Sequence, residues 1–349
     1  MSTALSPVGT PAAPATPAGP RPSLLRAEVH RFRSRRLIAL LLVLGAVGFL
    51  GAVLLASTQY AKTSPEVLAE AQRRLDAVVV EQNAYREQCL SSPDVPQGVP
   101  ADAYCGPEAT AENFGGPENF IEHRPFTLAT DGLAGALAVA VAASAVTFLV
   151  GATSIGAEWS SRSLVALLFW QPRRLRVMAA KLAVLAGAAA LVGLLAQGGW
   201  VVAARVLAAT RGSAQVPAGF WGDLLGTGAR GVLLVVLTAL LGFGVAHLVR
   251  NTAASLGAGF LYFAVVESAV RNLRSTWTPW LFTENALALV QHGGAKVYVD
   301  EGYFDAAGSY QSTGREVVLS NLHGGLVLGA VVLAVVGLGV LLFQRRDLN

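Results

Sequence analysis

Three groups of residues in this 349-residue chain have the types and spacing to do chemistry. The first is Cys89 with Cys105, the only two cysteines. In an oxidising compartment they could close a loop and lend about 3 kcal/mol; otherwise they are two free thiols. The second is Glu267, inside an apolar run, with Arg271 four positions on. Such a carboxylate reads either as an ion pair near a membrane boundary or as a proton or substrate site. The third is the stretch "SIGAEWSSRSLVALLFWQPRRLRVMAAK", 154–181, where Glu158 meets Arg162, Arg173, Arg174, Arg176 and Lys181.

Other constellations are missing. The five histidines are scattered and no H-E-x-x-H occurs. No G-x-x-x-x-G-K-[ST] run occurs either; "GGAK" at 293–296 is the nearest approach. Without a glycine-rich cradle for phosphates, the chain has no nucleotide site of its own. No Ser/His/Asp set can be assembled, so an enzyme is not indicated.

The elements that must position these groups are membrane helices. Hydrophobic residues make up 53% of the chain and charged ones 14%, well under the quarter expected of a soluble domain. About 20 apolar residues cross a bilayer, and six segments qualify: 37–57, 133–152, 182–207, 231–249, 253–270 and 325–343. The expected fold is an all-α polytopic membrane protein. A disordered Pro/Ala-rich tail is expected over 1–22, an interfacial helix over 23–36, and a six-helix domain over 37–349. Within that domain lie loops at 58–130 and 271–323 on one side, and segment 154–180 on the other.

Arginine placement orients the spans. Residues 21–36 hold six Arg, and the 153–181 segment is also basic. Residues 58–130 hold eleven acids against five bases. The positive-inside rule then puts both termini in the cytoplasm and both cysteines outside. The Arg clusters flank apolar spans, so nucleic-acid binding is not expected. The Ala/Gly/Arg-rich composition suggests the cell membrane of a high-GC bacterium.

Local signals refine this picture. Ser64 and Pro65 can start a helix running to Cys89, and Ser23 can cap one over 22–36. In the latter, Leu25, Val29 and Phe32 share a face that suits the lipid head-group boundary. After the second span, Glu158 and Arg162 are spaced to pair at the start of a short amphipathic helix that Pro172 ends. That helix suits anchoring at the membrane surface or docking of a partner. Residues 275–293, broken by Pro279, Glu284 and Asn285, are too interrupted for a seventh crossing. Arg205 is expected to snorkel, and His247 to mark a span boundary.

The order Gly156-Ala157-Glu158, a short helix, Leu164, Leu167-Leu168, Pro172, Arg174 and Lys181 resembles the segment between the second and third spans of type-2 ATP-binding-cassette (ABC) exporter permeases. The close, Arg345-Arg346-Asp347, is similar too, as are six spans and a large first outer loop. Arg162-Ser163 stand where that family often has Gly-Thr. The resemblance implies that the short helix is a coupling helix seated on a cytoplasmic ABC ATPase subunit. Glu158, Trp159, Arg162 and Leu164 would then be at the contact, with Arg173, Arg174 and Arg176 at its edge. It further implies two ATPase copies holding ATP and Mg, a second permease chain, and a re-entrant hairpin over 275–293. The chain itself would hold no cofactor. The rival classes are an ion-coupled secondary transporter, which would show internal repeats, and an intramembrane lipid-modifying enzyme.

Overall fold

The computed structural model describes residues 23–92, 100–300, 302–304, 308–311 and 314–345; the expected tail and the Arg346-Asp347 close lie outside these. Helix α1, Leu24–Arg33, starts at Ser23, whose hydroxyl accepts from the Arg26 amide. Two residues later α2 begins, Arg36–Gln59. Ser64 caps α3, Pro65–Leu90, with Pro65 in the first turn where its missing N–H costs nothing. A short α4, Ala101–Cys105, precedes α5, Leu128–Ser160. Then come α6, Ser163–Trp170, α7, Arg174–Arg211, and α8, Phe220–Val249.

The next crossing is compound. Helix α9, Thr252–Leu261, runs through a single π turn, Tyr262–Val266, into α10, Glu267–Leu273. A 3-10 turn, Ser275–Trp280, leads to α11, Phe282–Val290, and α12, Asn321–Arg345, closes the bundle. Six of these rods are long and apolar enough to cross a membrane: α2, α5, α7, α8, the α9–α10 unit and α12. Each expected span falls inside one of them.

Two helices are much longer than a crossing. At 1.5 Å per residue α5 is ~50 Å long and α7 ~57 Å, against ~30 Å of hydrocarbon. The extension of α5 corrects the expected start of the short helix. Nothing between Gly151 and Ser160 breaks an α-helix, so Glu158 sits in the last turns of α5. The break falls at Arg162, which takes the left-handed conformation with φ of 54°. Glu158 and Arg162 therefore do not share a helix, and the i,i+4 pairing expected of them does not form.

Helix α8 is the most enclosed crossing and α2 the least. The central contact is α5 against α8, and it is set by two glycines. A methyl group on Gly151 would overlap the Ala239 carbonyl, and one on Gly242 would overlap the Phe148 carbonyl. Small residues let two backbones approach this closely, which supplies packing where lipid removes the hydrophobic drive. The spacings Gly222/Gly226 and Gly325/Gly329 are not the ones used in this contact: a methyl on Gly222 or Gly329 would meet nothing.

Strands β1 (Phe126–Thr127) and β2 (Gly212–Ser213) pair in parallel and tie the entrance of α5 to the exit of α7. Strand β3, Ala295–Asp300, runs antiparallel to a later strand, Gly314–Leu319, with Tyr298 opposite Glu316. A disulfide joins Cys89 to Cys105 with Cα atoms 5.8 Å apart, tying the end of α3 to the end of α4. Asn83 reinforces it by exchanging hydrogen bonds with the Ala109 backbone at 2.9 and 3.0 Å.

Candidate functional site

At one end of the bundle, α1, α6, the tail of α5, the head of α7 and the last turn of α12 converge. Lys181 is the centre. Its Nζ donates to Glu28 Oε2 at 2.8 Å and to Glu158 Oε1 at 2.8 Å. All three side chains are at least nine-tenths buried. Arg35 completes the set: it ion-pairs with Glu158 and donates to the Thr153 and Ser154 carbonyls. Arg31 lies 3.5 Å from Glu28 on the exposed side.

The chemistry of this cluster is mutual neutralisation. A carboxylate near a helix C-terminus opposes the helix dipole, so Glu158 needs its two cations. Buried charges cost several kcal/mol each unless paired and hydrogen-bonded. Four members drawn from α1, α2's N-cap, α5 and α7 balance one another's charge here, two carboxylates against two cations. The cluster therefore fixes α1 to the two long helices that flank α6.

Around it stands an aromatic set. Trp159 Nε1 donates to His247 Nδ1 at 3.1 Å, and Arg250 lies 4.6 Å above the Trp159 ring. Phe343 of α12 meets both rings edge-on, and His247 stacks on Phe243. Arg174 Nη1 donates to the Phe343 carbonyl at 2.7 Å. His247 is thus more than a boundary residue: it links α8 to α5.

The seven expected docking residues divide. Leu164 is fully buried with Leu167 against the bundle, Glu158 is locked in the charge cluster, and Arg174 is committed to α12. Trp159 is half-buried. Arg162, Arg173 and Arg176 are exposed, and so is Phe169 of α6, at 85%. Phe169 carries no sequence signal of its own, because within the apolar run of α6 an exposed aromatic looks the same as a buried one. Glu28, Arg35 and Lys181 were legible only as flanking charges.

At the opposite end Glu267 is 1% exposed. It accepts from the Thr283 amide at 3.0 Å and from the Thr283 hydroxyl. Arg271 Nη2 lies 3.3 Å from Glu267 and 2.9 Å from Glu284. One buried carboxylate thus holds α11 to α10. The expected snorkelling Arg205 stacks on Trp221 at 4.6 Å. Among the described residues no group of three or more His, Cys, Asp or Glu could hold a metal ion. No family model, curated protein or solved structure matches this chain.

Proposed function

We propose that this chain is the membrane subunit of an ABC transporter, an exporter, driven by a separate cytoplasmic ATPase. One observation carries the reading: α6, a short helix strapped between two long rods, whose roots are clamped by Lys181 and Glu158. A push on α6 would pass to α5 and α7 as rigid bodies rather than being lost in a loop. The exposed Phe169 lies on α6, with exposed Arg162 before that helix and exposed Arg173 and Arg176 after it, so the segment offers an aromatic anchor with flanking positive charge to an acidic-edged cleft. In this reading the basic end faces the cytoplasm. ATP-driven closure of two ATPase subunits would favour one conformation of a permease pair over another, and the energy enters as that difference in binding.

The test is reconstitution with candidate ABC ATPase subunits from the same cell. The chain alone should hydrolyse no ATP, and the complex should couple hydrolysis to efflux. Phe169→Asp with Arg162→Glu should abolish assembly while leaving the chain's own fold intact. Labelling of a cysteine placed at Arg173 from the outside of intact cells, or efflux by the chain alone, would overturn the reading.

A further inference from the structure

A cavity of about 440 Å³ lies halfway along the bundle, walled by α5, α8, α9 and α11. Its size is that of a small-molecule site. Four phenylalanines line it: Phe148, Phe260, Phe263 and Phe282. None of the sixteen described residues around it is charged. The wall also contains Ser144, which is 6% exposed and whose hydroxyl has no hydrogen-bond partner.

That hydroxyl is exceptional for its setting. Hydroxyls in apolar helices ordinarily bond a carbonyl one turn back. Thr147, Thr153, Ser154 and Thr238 all do so here. Ser144 alone among these neighbours does not, and a buried polar group without a partner costs about 1–3 kcal/mol. Ser144 lines the cavity, and a turn of its side chain about χ1 would carry the hydroxyl from its enclosed position to a ligand atom there, removing that cost.

We propose that this cavity binds an uncharged, aromatic-rich small molecule that offers one hydrogen-bonding atom to Ser144. Charge is excluded because nothing in the wall would compensate its desolvation. Aromatic rings fit because the four phenylalanines present faces and edges for offset or edge-to-face contact. The single polar atom fits because Thr238 is satisfied by its own helix and Thr283 by Glu267, which leaves Ser144. The site does not depend on the transport reading, since binding requires no ATPase.

Benzophenone is a suitable probe: neutral, two rings, one carbonyl acceptor, and photoreactive. The full chain in nanodiscs would be irradiated with increasing benzophenone and the adducts mapped by mass spectrometry. The expected result is a saturable set of adducts on the cavity wall. Ser144→Ala should weaken the half-saturation by about two- to tenfold, the loss of one hydrogen bond. Ala145→Phe, which fills the space, should remove the adducts, and benzophenone-4-carboxylate should not compete. Adducts spread evenly over lipid-facing residues such as Leu54 would overturn the proposal. So would a half-saturation unchanged by Ser144→Ala, the outcome expected if a lipid acyl chain is the true occupant. The wild-type adduct map tests occupancy of the cavity, and Ser144→Ala, compared only once its circular dichroism matches the parent, tests the hydrogen bond, with Ser144→Thr as a second variant that keeps the hydroxyl and should bind as the parent does.

Discussion

Lys181 Nζ lies 2.8 Å from Glu158, a residue 23 positions upstream on the far side of α6. The pair turns a helix–turn–helix–turn–helix segment into a closed frame. Replacing Lys181 by Met leaves two buried carboxylates facing each other, and should cost about 3–5 kcal/mol. Adding Glu28→Gln should recover part of that loss, since one uncompensated charge is then gone. Thermal unfolding of the detergent-solubilised chain, followed by intrinsic tryptophan fluorescence, reads both effects.

The α5–α8 contact predicts a contrast between glycines. Gly151→Ala or Gly242→Ala drives a methyl group into a backbone carbonyl and should destabilise by about 1–3 kcal/mol. Gly329→Ala, where a methyl meets nothing, should be within about 0.5 kcal/mol of the parent. The same melting assay, run on all three, separates close approach from mere glycine content.

The disulfide staples the end of α3 to α4. Cys89→Ser with Cys105→Ser should cost about 3 kcal/mol by loop-closure entropy. The effect should stay local: faster proteolysis between α3 and α4, with the six long helices unchanged by circular dichroism.

At the opposite end, Glu267→Ala removes the acceptor for both Thr283 donors. About 1–3 kcal/mol of local stability should be lost, because the Thr283 groups are left unsatisfied. Hydrogen exchange would show it as earlier labelling of α11, with α9 unaffected.

The β3 hairpin should respond to pH. Hydrogen bonds from Lys296 and Tyr298 hold the Glu316 carboxyl below its ordinary range, and the Glu316 hydrogen bond holds Lys296 above its own. Glu316 then contributes stability above the unfolded carboxylate pKa of about 4.3, lost as pH falls through the lower folded value. Lys296 contributes below about 10.4, lost as pH rises past its raised folded value. The protection factors of the β3 amides, that is, exchange corrected for its intrinsic pH dependence, should therefore be flat between about pH 5 and 10 and fall only outside it. Both residues are exposed, so the effect is small.

The six crossings and their caps were legible because hydropathy and Ser/Pro start signals are local properties. The same holds for the ends of α3 and for Pro172 closing α6. The partners of Glu158 were not legible. Its i+4 neighbour was the natural guess, but helix continuity past residue 152 carried it away from Arg162 and toward Arg35 and Lys181. The Ser144 cavity was equally hidden, since a lone serine in a span says nothing about which wall it faces. Close packing at Gly151 and Gly242 could not be told from chance in a glycine-rich chain.

The π turn in the fifth crossing has a consequence for how that rod can vary. The Glu267 amide donates to the Tyr262 carbonyl five residues back, one more than an α-helix uses. Deleting one residue from 262–266 would restore an ordinary helix and swing everything after it by about 100°. Phe260 would keep its place in the cavity wall while Glu267 turned away from Thr283. The two halves of the crossing are thus phased independently, and a one-residue change in length is tolerable on one side only by losing the other.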